Sequence, residues 1–186
     1  MGREIRNKAE DEKEEARFRY ASELATKLKK SIDILGVEKI IFSDRLPTPI
    51  AGTIDLFGRS RKTGEYLILD WKTNKKIELE NEWDNYCLDP ISHIPDISFG
   101  HYSLQLSLYQ YLLEFEGYVS RGSKFKRALL HVTENGSEII QCPDYTKEIR
   151  DMIIWQQCDH SHHPEVVDKP INPFGTTIND LELTYI

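Results

Sequence analysis

Two stretches of this chain place a charge where an apolar strand would want none. Asp55 stands inside Ala51-Gly52-Thr53-Ile54-Asp55-Leu56, and Asp70 inside Leu67-Ile68-Leu69-Asp70-Trp71-Lys72-Thr73. A carboxylate in such a run is costly to bury unless something pairs with it. Between the runs lies a turn-rich stretch from Gly58 to Gly64. Segments 50–57 and 65–72 therefore read as a β-hairpin that gathers two carboxylates and an ammonium at one place on a sheet. Side chains alternate along a strand, so Lys72 shares a face with Asp70. On that reading Tyr66, Ile68, Asp70 and Lys72 carry the site, and Leu67, Leu69 and Trp71 pack against the core. Two convergent carboxylates are hard oxygen donors and suit Mg2+ or Mn2+.

The rest of the chain supplies the frame. Residues 8–35 carry alanines and leucines at helical spacing, among them Ala16, Leu24 and Leu28, and Gly36 stops the pattern. Glu38 to Ser43 reads as a short strand. Residues 77–100 contain Pro90, Pro95 and Gly100 with little periodicity, and read as a long loop able to cover the site. Leu104, Leu108, Leu112 and Phe115 make the apolar stripe of a helix over 101–116, ended by Gly117. Lys126 to Thr133 and Ser137 to Gln141 are strands joined by an Asn135-Gly136 turn. Pro143 and Asp144 open a last helix, to about Cys158. This order predicts an α/β fold, a central mixed β-sheet flanked by helices on both faces. It is expected to form a single domain over 1–186, with 160–186 an irregular tail in which Leu181 to Ile186 adds a short strand.

A chain of 186 residues, 39% hydrophobic and 30% charged, holds one modest core. No run approaches the length of a membrane span, and the first residues are charged, so neither a membrane segment nor a secretory signal is read. Three cysteines at distant positions argue against a disulfide framework. The expected setting is the cytoplasm, in a bacterial or phage-infected cell. A net charge of −7 excludes a general nucleic-acid coat, so phosphate contacts must come from local patches. Three candidates are Arg59, Arg61 and Lys62 at the hairpin tip, Lys72, Lys75 and Lys76 after the site, and Arg121, Lys124, Lys126 and Arg127 beyond the helix. Cys158-Asp159-His160-Ser161-His162-His163 matches no standard zinc spacing and reads better as a helix end.

Gly52-x-x-Asp55 followed by Asp70-x-Lys72 resembles the PD-(D/E)XK nucleases. Gln105-Leu106-Ser107-Leu108-Tyr109 resembles the Gln-x-x-x-Tyr motif of their RecB-type exonuclease branch. The run from Asp70 to Glu114 is similar to the small nucleases of phage genomes and the mitochondrial genome-maintenance exonuclease. The resemblance implies a restriction-endonuclease-like core and a Mg2+- or Mn2+-dependent deoxyribonuclease, an exonuclease acting at DNA ends in replication, recombination or repair. Asp55 and Asp70 would be the metal ligands, with the Trp71 backbone carbonyl completing the set. Lys72 would orient the attacking water or hold a phosphate oxygen. Lys75 and Lys76 would meet DNA. Gln105 and Tyr109, four apart on a helix, would face the metal and a free or single-stranded end, with Tyr109 able to stack a base or contact the backbone. The family's first acidic position has two candidates, Glu23 and Glu38. The family's proline before the first aspartate is replaced by Ile54. Relatives with an iron–sulfur cluster use four cysteines, more than this chain has. The alternative is a catalytically silent nuclease fold serving as a DNA-binding or assembly subunit. Protein partners are not legible.

Overall fold

The computed structural model describes residues 8–158. Helix α1 (Lys8–Ser31) leads into strands β1 (Ile32–Ser43), β2 (Ile50–Ser60) and β3 (Tyr66–Lys72). A long irregular segment reaches α2 (Ser98–Phe115), followed by β4 (Phe125–Thr133), β5 (Gly136–Cys142) and α3 (Thr146–Trp155). The five strands form one sheet in the order β1-β2-β3-β4-β5. β1, β2 and β3 are a meander, β3 and β4 run parallel, and β4 and β5 form a hairpin. The parallel pair needs a crossover, which the long segment and α2 provide. The expected mixed α/β architecture is present, with helices on both faces.

Each sheet face has its own core. Leu24 and Leu28 of α1 cover Leu56, Leu67, Leu69, Trp71 and Leu130. On the other face α2 and α3 pack on Ile54, Phe57, Ile68 and Leu129. The split of β3 into an apolar face and a site face is therefore too simple. Ile68, on the face of Asp70, is wholly buried in the larger core. A central strand covered on both sides has no solvent face to spare.

The first helix ends at Ser31 rather than at Leu35. Ile32 to Leu35 join β1 because β2 extends to Ser60 and pairs with Ile32, Asp33 and Ile34, Ile32 opposite Ser60 and Asp33 opposite Arg59. Arg61 fixes the corner with a 2.8 Å ion pair to Asp33 and a backbone N–H bond to the Ser31 carbonyl. Gly36 marks a register shift inside β1 instead of a helix stop. Smaller differences follow the same pattern of neighbours deciding ends. α2 begins at Ser98 and α3 spans Thr146–Trp155. Gly117 does close α2, with a φ of +78° after the last turn.

The segment between β3 and α2 is pinned. Ile77, Ile91 and Ile94 are buried in the larger core. The Cys87 N–H bonds the Ile94 carbonyl and the Asp96 N–H the Asn85 carbonyl, which makes a small hairpin. The tail expected over 160–186, with its short strand, lies outside the described residues, as does all but Cys158 of the Cys158–His163 cluster. No helix among the described residues is long and apolar enough to cross a membrane.

Candidate active site

The β2–β3 ladder runs from Arg59 opposite Tyr66 to Leu56 opposite Leu69 and stops there. One more step in the same register would set Asp55 across from Asp70. Instead the strands part, and the Trp71 N–H donates to Asp55 Oδ2 at 2.9 Å. The side chain of Asp55 does what a backbone carbonyl of β2 would otherwise have done. This turns its carboxylate into the gap between the strands, beside Asp70.

Asp70 is 4% exposed, and its Oδ2 lies 2.6 Å from Lys72 Nζ. Among the described residues the Lys72 ammonium is the partner of this buried oxygen, and no other hydrogen bond reaches it. Burial pushes the Asp70 carboxyl above the usual aspartate range; Lys72 opposes the rise and the negative charge of Asp55 adds to it. A buried carboxylate held above its ordinary pKa beside a second one is an arrangement that a cation would relieve. The donors are carboxylate oxygens, which fit Mg2+ or Mn2+.

The helix α2 closes the other side. The Tyr102 ring lies over Lys72 Nζ, 4.3 Å from its centroid, and accepts a 3.2 Å hydrogen bond at Oη from Asn74. The Asn74 carbonyl in turn lies 2.8 Å from Nε2 of His131, which is buried opposite Lys72 on β4. His131 Nδ1 meets Glu138 at 3.0 Å. Tyr102 and His131 went unread in the sequence. Tyr102 had a signal, since positions 102, 105 and 109 share one helix face. His131 had only a polar residue inside the apolar run Ala128 to Val132.

Gln105 Nε2 donates to Tyr109 Oη at 2.9 Å. Burial raises the Tyr109 phenol; the hydrogen bond from Gln105 opposes this, and Asp70 and Asp55 add to it. Both residues thus belong to the neighbourhood of the acidic pair. Base stacking by Tyr109, however, is not what this geometry offers. Its ring is 5% exposed and packed in the larger core. A Cβ on Gly52 would come within 2.5 Å of its Cε1. The glycine of the first motif is therefore the seat of the tyrosine of the second.

Other candidates stay apart. Glu23 is exposed on α1, which covers the face opposite to Asp70. Glu38 is exposed on β1, with β2 between it and β3. Neither joins the pair. Lys75 and Lys76 are exposed just beyond β3, Lys76 lying 3.8 Å from Glu82. The hairpin-tip patch is at the wrong end, since Asp70 is four residue steps along β3 from Tyr66, about 13 Å. Arg127 is buried, bonded to Gln110 and the Pro143 carbonyl and paired with Asp144 at 3.1 Å. It leaves the third patch.

The family model of the PD-(D/E)XK nuclease superfamily matches residues 2–169. No curated protein matches the chain significantly. Among solved structures, a candidate exonuclease from Eubacterium rectale is similar at 17% identity and a TM-score of 0.44. The alignment covers 85% of this chain and 61% of that one, so the chain spans under two thirds of that protein. The Asp55, Asp70 and Lys72 constellation lies well inside the matched span, and the chain belongs to the PD-(D/E)XK nuclease superfamily.

Proposed function

We propose that this chain is a Mg2+- or Mn2+-dependent deoxyribonuclease of the RecB-type branch, an exonuclease working on free or single-stranded ends in recombination or repair. The observation that supports it most is Asp70, a buried carboxylate beside Asp55 whose Oδ2 has only Lys72 as a partner among the described residues. Asp55 and Asp70 would hold the ion. The Trp71 carbonyl is suited to join them, because N–H and C=O of one strand residue face the same edge. When bound, the ion supplies Lewis acidity toward the phosphodiester. Lys72 holds a non-bridging phosphate oxygen and stabilises the charge that grows there as water attacks phosphorus and the P–O bond breaks. Gln105 has one end of its amide committed to Tyr109, which leaves its oxygen to orient that water.

The absence of Glu23 and Glu38 from the pair favours one second reading, a nuclease fold that binds DNA without cutting it. End-labelled linear and circular DNA, single- and double-stranded, with Mg2+, Mn2+ or EDTA, separates the two. Progressive loss of linear DNA with ion present, and intact circles, is expected. Cut circles would make the enzyme an endonuclease. DNA binding with no cleavage under any ion would establish the silent reading.

A further inference from the structure

Within the pinned segment and the start of α2, three donors of different chemistry meet. The Cys87 thiol, the Asp96 carboxylate and a His101 ring nitrogen all lie within 4.8 Å of one another. We propose that Cys87, Asp96 and His101 form a second metal site, specific for a borderline transition-metal ion of the Zn2+ class and distinct from the hard-cation site at Asp55 and Asp70.

The backbone builds this cluster before any ion arrives. Cys87 and Asp96 lie on the two arms of the small hairpin, whose arms bridge at Tyr86 and Pro95. His101 is on the first turn of α2. What lets the hairpin approach that turn is Gly100, where a Cβ would stand 2.4 Å from the Pro95 carbonyl oxygen. Asp96 Oδ1 already lies 2.7 Å from His101 Nε2. Ligand atoms around a tetrahedral zinc are about 3.3–3.6 Å apart, given Zn–N and Zn–S lengths of about 2.0 and 2.3 Å. Shifts of about 1 Å would therefore close the three donors on an ion.

The donor set decides the cation. A thiolate and an imidazole select zinc-like ions over Mg2+, and three protein ligands leave a fourth position for water. Binding conserves charge and protons simply. The Cys87 thiol gives one proton to solvent, and the proton shared by His101 Nε2 and Asp96 moves to Nδ1 as Nε2 turns to the metal. The ion would clip the hairpin to α2 directly before Tyr102, the residue that covers Lys72.

The test uses the full chain, stripped of metal and titrated with Co2+. One equivalent should produce a thiolate-to-cobalt charge-transfer band that Zn2+ removes and excess Mg2+ does not. Cys87→Ser should abolish the band, and His101→Ala should weaken Co2+ binding about tenfold or more. Cys158→Ser, at the exposed cysteine, should keep it. Cys87→Ala, checked for an unchanged circular dichroism spectrum, guards against misfolding. No thiolate band in the wild-type chain, or a band that survives in both Cys87 variants, would overturn the proposal. Neither result depends on whether the chain cuts DNA.

Discussion

A buried aspartate paired with one lysine gives two substitutions opposite consequences. Burial holds the folded-state pKa of Asp70 above its unfolded value. Ionised Asp70 is therefore a cost to the fold, present above the raised pKa and gone once pH falls below the unfolded one. In EDTA at neutral pH, Asp70→Asn should melt higher than the wild-type chain, because it removes the buried charge and keeps the shape. That advantage should shrink on acidification. Lys72→Ala strands the carboxylate and should lower Tm at neutral pH. Melting curves across pH test both signs. Both variants should lose cleavage by about a hundredfold or more, but only Asp70→Asn should lose metal affinity. Wild-type activity should fall as pH drops through the raised Asp70 pKa, because the protonated acid is no ligand. These residues were legible in the sequence because a charge inside an apolar run must find a partner or a task to offset its burial. His131 was not, because a histidine at a half-apolar position serves a core equally well, and Tyr102 showed only in its helical phase with Gln105 and Tyr109.

At the scale of elements, the hairpin and α2 were readable and the α1–β1 junction was not. Ile32-Asp33-Ile34-Leu35 suits either a helix end or a strand, and only pairing with β2 decides it. The same competition hid the fit between β2 and α2. Tyr109 fills space that Gly52 leaves open. Tyr109→Ala should cost about 3–5 kcal/mol, the range for emptying a large aromatic site, and melt early. Tyr109→Phe keeps the ring and loses the hydroxyl's bond, about 1 kcal/mol. Gly52→Ala should be strongly destabilising in the wild-type chain and far less so with Tyr109→Ala, because the added methyl then enters the vacated space. A double-mutant cycle by chemical denaturation checks this. Additive costs would show that the two motifs do not share one steric unit.

Over the whole molecule, the acidic pair sits where β3 loses its antiparallel partner β2 and keeps its parallel partner β4. Charge summed over the chain said little about this place, since a net −7 conceals which lysines stand near it. The long segment looked like a lid from its prolines, yet three isoleucines anchor it in the core, a pattern too sparse to read without the sheet. One feature of the site has an experimental use. The Trp71 amide is protected by the carboxylate of Asp55 and not by a neighbouring strand. Its proton should therefore exchange with deuterium at a rate set by where that carboxylate points. Asp55→Ala should speed exchange at Trp71 while amides deeper in β3, such as that of Ile68, keep their protection. The native chain would thus carry, in one backbone proton of its central strand, a gauge of whether the carboxylate of Asp55 is in position.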